Sequence, residues 1–209
     1  MIISSWNVRG MNDTLKQQEV LDFLQMNKVD YGALIETHIK AHAVNVVKRR
    51  FFQKYNLVTN LDFHSGGRLW VLWDSATVTL RVLNTGAQFL HCSLLHIATQ
   101  RLVLVTFVYA LNRATERLEL WDQLRTISGG SLPWVCLGDF NVSLTSDERV
   151  GCVVHEHEMQ DFRECLHDCS LEDHPHTGGG VSLGITSRIR VLNGQNWIVF
   201  WQISLGSFM

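Results

Sequence analysis

The sequence lacks any large excess of charge of one sign. Lys and Arg total 18 and Asp and Glu total 20, which gives a formal net charge of -2 at pH 7. A non-specific nucleic-acid binder carries an overall basic field that attracts phosphate, and this composition does not supply one. Any affinity for phosphate must therefore come from a local site or from a metal ion. The charge argues against a coat protein but not against a nuclease.

The sequence also lacks a disulfide framework, a signal peptide and an apolar run long enough to span a membrane. Its five cysteines are an odd number without a CxxC pair, and three fall in stretches predicted as strand or helix interior. The chain starts with a strand-like MIISSWN instead of a basic region and an apolar core. We therefore expect reduced thiols, an intracellular protein and no membrane association.

The residues that are present suffice for one substantial core. The chain has 209 residues, of which 46% are hydrophobic, and this favours one globular domain. Predicted helices and strands are partly interleaved and partly clustered, which favours a layered α/β architecture. One short strand is predicted over residues 31–35, and from Arg68 four consecutive strands predict an antiparallel meander.

Hydrophobic spacing predicts four helices and the side chains that they bury. The first is capped by Asn12, Asp13 or Thr14 and runs to about Asn27. The others are predicted over residues 43–54, 115–127 and 157–169. The residues expected to face the core in the first and third helices include Leu15, Leu21, Leu24, Leu118, Trp121 and Leu124. His91 and His96 fall in the meander and are expected to be packing or edge residues.

The stretch Pro133 to Asn141, PWVCLGDFN, is a short apolar run that ends in polar side chains. It predicts a buried strand, and on an extended chain Asp139 and Asn141 project from the same face. A carboxylate beside an amide suits a metal-assisted attack on phosphate, in which the Asp takes a proton from water. A strand that runs into an Asp/Asn turn explains GDFN equally well.

Polar side chains also stand at the ends of other predicted strands. In open α/β sheets, sites gather outside the carboxyl ends of the strands, so these side chains are expected to share one site. The four strand ends carry Asn7, Glu36, Tyr109 with Asn112, and Asp139 with Asn141.

Four motifs in register carry a resemblance to a known family. SWNVRGMN, ALIETH, FVYALNRATER and LGDFN look like the endonuclease/exonuclease/phosphatase family, whose members are metal-dependent phosphodiesterases and phosphatases. The sequence is most similar to the endonuclease domain of plant LINE-type (non-LTR) retrotransposons, over about the first 180 residues. The resemblance implies a four-layered α/β sandwich, with two mixed, mainly antiparallel β-sheets flanked by helices and incomplete at the C-terminus.

The resemblance also implies catalytic roles for five residues. Glu36 would be the principal ligand of Mg²⁺ or Mn²⁺, helped by Asn7, and a hard cation of this kind takes oxygen ligands. Asp139 would orient or deprotonate the attacking water, and Asn141 would hold that water or the phosphate. Tyr109 would stabilise charge on the phosphate.

Three further residues are implied to bind the substrate, which would be DNA. Asn112 would lie against the phosphate or its flank. Arg113 and Arg117 are candidates for contacts with the DNA backbone, the alternative being an ordinary solvated helix face.

The sequence departs from the family after HPHTGG. The family completes its site with an Asp-His pair, whereas no Asp, Glu or His occurs from Gly180 onward. If codons for Ser182 to Leu205 are read from their third positions, the genetic code permits TWHNKQDPCSKWAKLDRVLAN, which is how the family continues. We therefore expect an incomplete domain over residues 1–180 and a frameshift-derived tail over residues 181–209. Trp197 to Trp201 is its strand-like part.

Three functions remain open from the sequence. The chain is a DNA-nicking endonuclease weakened by its tail, a phosphoesterase of the same family for small molecules, or a non-catalytic module that binds nucleic acid or phosphate. The first implies a nuclear location, a monomer and a reverse transcriptase domain downstream in a full-length relative.

Overall fold

A computed structural model describes residues 2–64, 66, 68–142, 156–173 and 197–200 of the chain. Within these residues four helices form: α1 (Thr14–Met26), α2 (Ala41–Phe51), α3 (Ala114–Ile127) and α4 (Glu156–Asp168). The strands are β1 (Ile3–Asn7), β2 (Tyr31–Ile35), β3 (Asn56–Thr59), β4 (Leu69–Trp73), β5 (Val78–Thr85), β6 (Phe89–His96), β7 (Arg101–Tyr109), β8 (Trp134–Asp139), β9 (Glu172–Asp173) and β10 (Trp197–Phe200).

The strands form two mixed sheets. The first has the order β1-β2-β4-β3, in which β1 and β2 are parallel and the other pairs are antiparallel. The second has the order β5-β6-β7-β8-β10-β9, with antiparallel pairs from β5 to β7 and parallel pairs from β7 onward. Parallel pairing places the ends of β1 and β2 together in one sheet, and those of β7 and β8 together in the other.

Three buried clusters define the layers. Residues from both sheets, including Ile35, Val71 and Phe107, pack between the sheets. A second cluster joins α1 and α2 to the outer face of the first sheet, and a third joins α3 and α4 to the outer face of the second. The fold is therefore an α/β sandwich with helices outside both sheets, as the sequence predicts.

Helix α1 begins where the sequence predicts it, but it does not bury all the predicted side chains. Asp13 is the N-cap, and its Oδ1 accepts a hydrogen bond of 3.2 Å from the backbone N–H of Leu15. Leu24 is buried, whereas Leu15 is 72% exposed, so the expectation that Leu15 faces the core is wrong. The same error occurs in α3, where Leu118 is 45% exposed. Both leucines lie in the first turn or two, where a helical stripe alone does not show which face the protein covers.

The predicted meander is correct for three of its four strands. Strands β5, β6 and β7 are consecutive antiparallel neighbours, but β4 belongs to the other sheet, between β2 and β3. The chain therefore changes sheets between Trp73 and Val78. A run of alternating strands predicts that pairing occurs, but not which strands pair, because the partners of β4 precede it in the sequence.

The structure also tests three smaller expectations, which concern the cysteines, the C-terminal strand and membrane-spanning helices. The four described cysteines, Cys92, Cys136, Cys165 and Cys169, are free and buried. The strand expected near Trp197 forms as β10, which pairs in parallel with β8 and β9. The rest of the tail lies outside the described residues, and so does Cys152. No helix of the described part is long and apolar enough to cross a membrane.

Candidate active site

The two sheets bring four of the predicted side chains to one place. Asn7 ends β1 and Glu36 follows β2 in the first sheet, whereas Tyr109 ends β7 and Asp139 ends β8 in the second. The register pairs Asn7 with Ile35 and Tyr109 with Asp139, so both pairs lie at strand ends. The site is thus formed where the carboxyl ends of parallel strands from opposite sheets meet.

Hydrogen bonds join these side chains across the gap between the sheets. The amide Nδ2 of Asn7 donates to Glu36 Oε1 at 2.9 Å and to Asp139 Oδ2 at 3.2 Å. The hydroxyl of Tyr109 donates to the same Glu36 Oε1 at 2.8 Å. Two carboxylates therefore converge on one amide nitrogen, and a phenol lies beside one of them.

The backbone around Glu36 has an unusual conformation that two hydrogen bonds hold. Its φ is +55°, in the left-handed region that residues with a Cβ rarely adopt. Its N–H donates to Arg68 O at 2.6 Å, and its carbonyl accepts from Gly10 N at 2.6 Å. A strained residue persists only where its surroundings over-determine it, and such residues cluster at functional sites.

Gly138 allows the strand that carries Asp139 to reach the site. Its φ is +148°, and a Cβ at this position would lie 1.9 Å from the carbonyl oxygen of Val108 on β7. Only a residue without a side chain allows β7 and β8 to approach this closely. The glycine of the GDFN motif is therefore required by the packing that places Tyr109 beside Asp139.

Burial and charge keep the Tyr109 hydroxyl protonated. Burial is the main cause that raises the pKa of Tyr109, and its hydrogen bond to Glu36 adds to the effect. The guanidinium of Arg68 lies 5.4 Å from the centre of the Tyr109 ring and acts in the opposite direction. Tyr109 therefore remains a hydrogen-bond donor at neutral pH.

The model of one protein family matches residues 4–157, most of the described chain. This chain belongs to the endonuclease/exonuclease/phosphatase family. The matched span contains every strand end that forms the site.

Solved structures show the same fold at low sequence identity. An AP endonuclease from Archaeoglobus fulgidus is 17% identical, with 80% of this chain and 70% of that chain covered and a TM-score of 0.57. The endonuclease domain of TRAS1, a telomere-specific non-LTR retrotransposon, is 11% identical, with 80% and 71% covered and a TM-score of 0.59. D. rerio TDP2 complexed with a single-strand DNA product is 15% identical, with 68% and 61% covered and a TM-score of 0.51.

The chain spans between 61% and 71% of the length of these three solved chains. No curated protein matches it in sequence. At these identities the likeness to solved structures shows the fold, and the chemistry has to be argued from the side chains.

The donor set of this family member fits a hard divalent cation. Mg²⁺ binds through one or two carboxylates and keeps several waters, and Glu36 and Asp139 are two partly exposed carboxylates that converge. The described residues contain no group of three or more His, Cys, Asp and Glu side chains that could hold a metal. The Oδ1 of Asn7 accepts from Arg9 N at 3.1 Å, so Asn7 meets the carboxylates as a donor. Its role as a metal ligand stays a prediction.

Asn141 and Asn112 lie in the loops that follow β8 and β7. The backbone N–H of Asn141 donates to Asp139 Oδ1 at 3.1 Å, and its Nδ2 donates to Ala110 O at 2.6 Å. Asn141 therefore orients Asp139 and ties the two loops together. Asn112 is exposed beside them, so a contact between its side chain and phosphate stays a prediction.

Arg117 is not available to DNA, so the prediction that it contacts the DNA backbone is wrong. Its side chain is 2% exposed and forms an ion pair with Glu158 of α4. Its Nη1 donates to Leu111 O at 3.2 Å and to Asn112 O at 2.8 Å. Arg113 differs, because its side chain is 82% exposed. A contact between Arg113 and DNA stays a prediction.

Sequence reasoning missed one residue of the site, Arg68. It lies just before β4, outside the motifs that carry the family resemblance. The pairing of Leu69 with Ile35 places Arg68 beside Glu36, and only the strand register reveals this.

Proposed function

We propose that this chain is a divalent-metal-dependent phosphodiesterase whose substrate is DNA, of the nicking type found in LINE-type retrotransposons. The observation that carries the proposal is the convergence of Glu36 and Asp139 on the amide of Asn7, with the Tyr109 hydroxyl on Glu36. Family membership supports hydrolysis of phosphate esters. DNA as the substrate is supported by fold relatives that are endonucleases or hold a DNA product.

Glu36, with Asn7 beside it, would be the principal ligand of Mg²⁺ or Mn²⁺. A cation of this kind supplies positive charge at a phosphoryl oxygen and lowers the pKa of a bound water. Because the carboxylates come from different sheets, the packing between the sheets sets the distance between them.

Asp139 and Tyr109 have separate roles in the proposed reaction. Asp139 accepts a proton from the attacking water, and its two oxygens are held in place by Asn7 and by the backbone of Asn141. Tyr109 stays protonated, and its hydroxyl would exchange its hydrogen bond to Glu36 for one to the oxygen that develops charge. Groups already held in position cost little reorganisation during the reaction.

A second candidate function follows from the composition of the tail. Residues 180–209 contain no Asp, Glu or His, so they supply no acid-base pair of the kind that the resemblance implies. One acid-base group typically contributes about 10²–10⁴-fold to a rate. The second candidate is therefore that this chain is a weakly active remnant, or a module that binds phosphate without turnover.

The same proposal covers the origin and setting of the tail. Residues 181–209 would derive from a shifted reading frame, and a full-length relative would act in the nucleus with a reverse transcriptase domain downstream. The genomic DNA around the codons for Gly178 to Ser182 tests this. Codons that spell unrelated residues in the alternative frame would exclude the frameshift.

Plasmid nicking with Mg²⁺ tests the function. We would compare the chain, Glu36→Gln and a version with a family-like C-terminal segment restored. The matched control is Glu119→Gln, which makes the same change on an exposed position of α3. Nicking by the restored version that Glu36→Gln removes and Glu119→Gln leaves intact supports the proposal. If bis-(4-nitrophenyl) phosphate is hydrolysed while DNA is not cut, the small-molecule alternative is correct.

Binding of a DNA duplex separates the non-catalytic candidate from the active one. Divalent-dependent binding without nicking, by both the chain and the restored version, supports a binding module. The absence of both binding and nicking from the restored version rules out the DNA proposal.

A further inference from the structure

Arg68 is a cation beside the proposed site, stacked on the Tyr109 ring, and no ion pair with a described residue occupies its guanidinium. It is partly exposed, and among the described residues no carboxylate pairs with its guanidinium and no acceptor takes a hydrogen bond from it. A guanidinium carries five N–H donors in a fixed plane and no acceptor. Its donors are therefore available to a ligand.

The position of Arg68 is fixed by the fold. Leu69 pairs with Ile35 in the antiparallel ladder, so the next pair along is Arg68 with Glu36. The backbone confirms this, because Glu36 N donates to Arg68 O at 2.6 Å. The backbone of Arg68 is therefore fixed beside the backbone of Glu36.

The direction of the side chain is also defined. The guanidinium lies over the ring of Tyr109 at 5.4 Å from its centre, a distance typical of a cation–π contact. Glu36 Oε1 takes hydrogen bonds from Asn7 and Tyr109 instead of pairing with the arginine. The stacking places the guanidinium beside Tyr109, a residue of the second sheet.

We propose that Arg68 binds the phosphate of the substrate through its guanidinium, beside the Tyr109 hydroxyl. The proposal rests on the proposed function. Arg68 would offset the negative charge of Glu36 and Asp139 when the phosphate binds. The planar fork matches two phosphate oxygens, which a lysine at the same position cannot do. Stacking on Tyr109 fixes the fork before the phosphate arrives.

The test measures binding, so it does not depend on turnover. Inorganic phosphate is titrated calorimetrically into the chain with Mg²⁺ present, for the unchanged protein, Arg68→Gln, Arg68→Lys and Glu36→Gln. The matched control is Arg81→Gln, an exposed arginine on β5. We expect Arg68→Gln to weaken phosphate binding about tenfold or more, with Arg68→Lys in between and Arg81→Gln unchanged.

A second measurement uses a DNA duplex and the salt dependence of its binding. Loss of one phosphate contact lowers the slope of log K against log salt by about 1, and we expect this for Arg68→Gln but not for Arg81→Gln. If Arg68→Gln binds phosphate and DNA like the unchanged protein while Glu36→Gln weakens both, the assignment of Arg68 fails and the proposed function stands. If the unchanged protein binds neither phosphate nor DNA, the assignment fails too. The hydrolysis assays then decide separately about the function.

Discussion

The ion pair between the buried Arg117 and the partly exposed Glu158 supports the sharpest prediction about this fold. The arginine joins α3 to α4, and its Nη1 holds the carbonyls of Leu111 and Asn112 in the loop that follows Tyr109. Substitution of Arg117 by Met keeps much of the volume but leaves the Glu158 carboxylate without its cation. Two carbonyl groups lose a donor in the same change.

The expected loss is a large fraction of the stability of an ordinary domain. Removal of one partner of a fully buried ion pair costs about 3–5 kcal/mol. Because Glu158 is 22% exposed, we expect about 3 kcal/mol, against about 5–15 kcal/mol for the whole free energy of unfolding. Arg113→Met is the matched control, because that side chain is 82% exposed and lies 4.0 Å from Glu116 in its own turn. A surface change of this kind is expected to stay within about 0.5 kcal/mol.

Urea unfolding measures both variants, together with Glu158→Gln and the double variant Arg117→Met, Glu158→Gln. The double variant should lose less than the sum of its parts, because the carboxylate charge that Arg117→Met leaves unpaired is gone. Equal midpoints for Arg117→Met and Arg113→Met would contradict the reasoning. DNA binding provides a second check, because Arg117→Met should leave the salt slope of the folded protein unchanged. A slope lower by about 1 would return Arg117 to the DNA interface.

Three further predictions concern the strand junction and two titrations. Gly138→Ala should fail to fold or unfold at much lower urea, since its Cβ would meet Val108 O at 1.9 Å, and circular dichroism checks this. Burial lowers the pKa of His91 from 6.5 to about 4, so stability present above pH 6.5 should fall as the pH drops toward 4. The loss is of the order of 2–3 kcal/mol, and His91→Gln should flatten the measured curve of unfolding free energy against pH. Burial raises the pKa of the Tyr109 phenol, so phenolate absorbance should appear with unfolding above pH 10 and not before it. An ordinary titration step from Tyr109 in the folded protein, identified by its loss in Tyr109→Phe, would contradict this.

The sequence predicts local structure and the composition of the site because both depend on short spacings. The strand that ends at Asp139 and a helix that begins near Asp13 both follow from residues that are neighbours in the chain. The family motifs also assign Glu36 and Tyr109 to one site, although the two residues are far apart in the sequence. A hydrogen bond of 2.8 Å joins them in the structure.

The failures occur where a result depends on contacts between distant segments. Arg117 looks like an exposed residue at a helix start until α4 brings Glu158 against it from 41 positions away. Strand β4 looks like part of the following meander, although its partners precede it. Arg68 belongs to no motif, and it reaches the site only because Leu69 pairs with Ile35. Periodicity contains no information about any of these partners.

The division of the site between two sheets has a consequence for how it works. Asn7 and Glu36 belong to the first sheet, whereas Tyr109 and Asp139 belong to the second, and the bonds at 3.2 Å and 2.8 Å between them cross the interface. Each crossing bond joins a neutral donor to a carboxylate. These contacts hold the two carboxylates near each other without neutralising them, so that a cation can bind beside them in the proposed mechanism. In the proposed mechanism the residues between the sheets, such as Ile35 and Phe107, therefore affect the chemistry as well as stability, because they set how far apart the carboxylates lie.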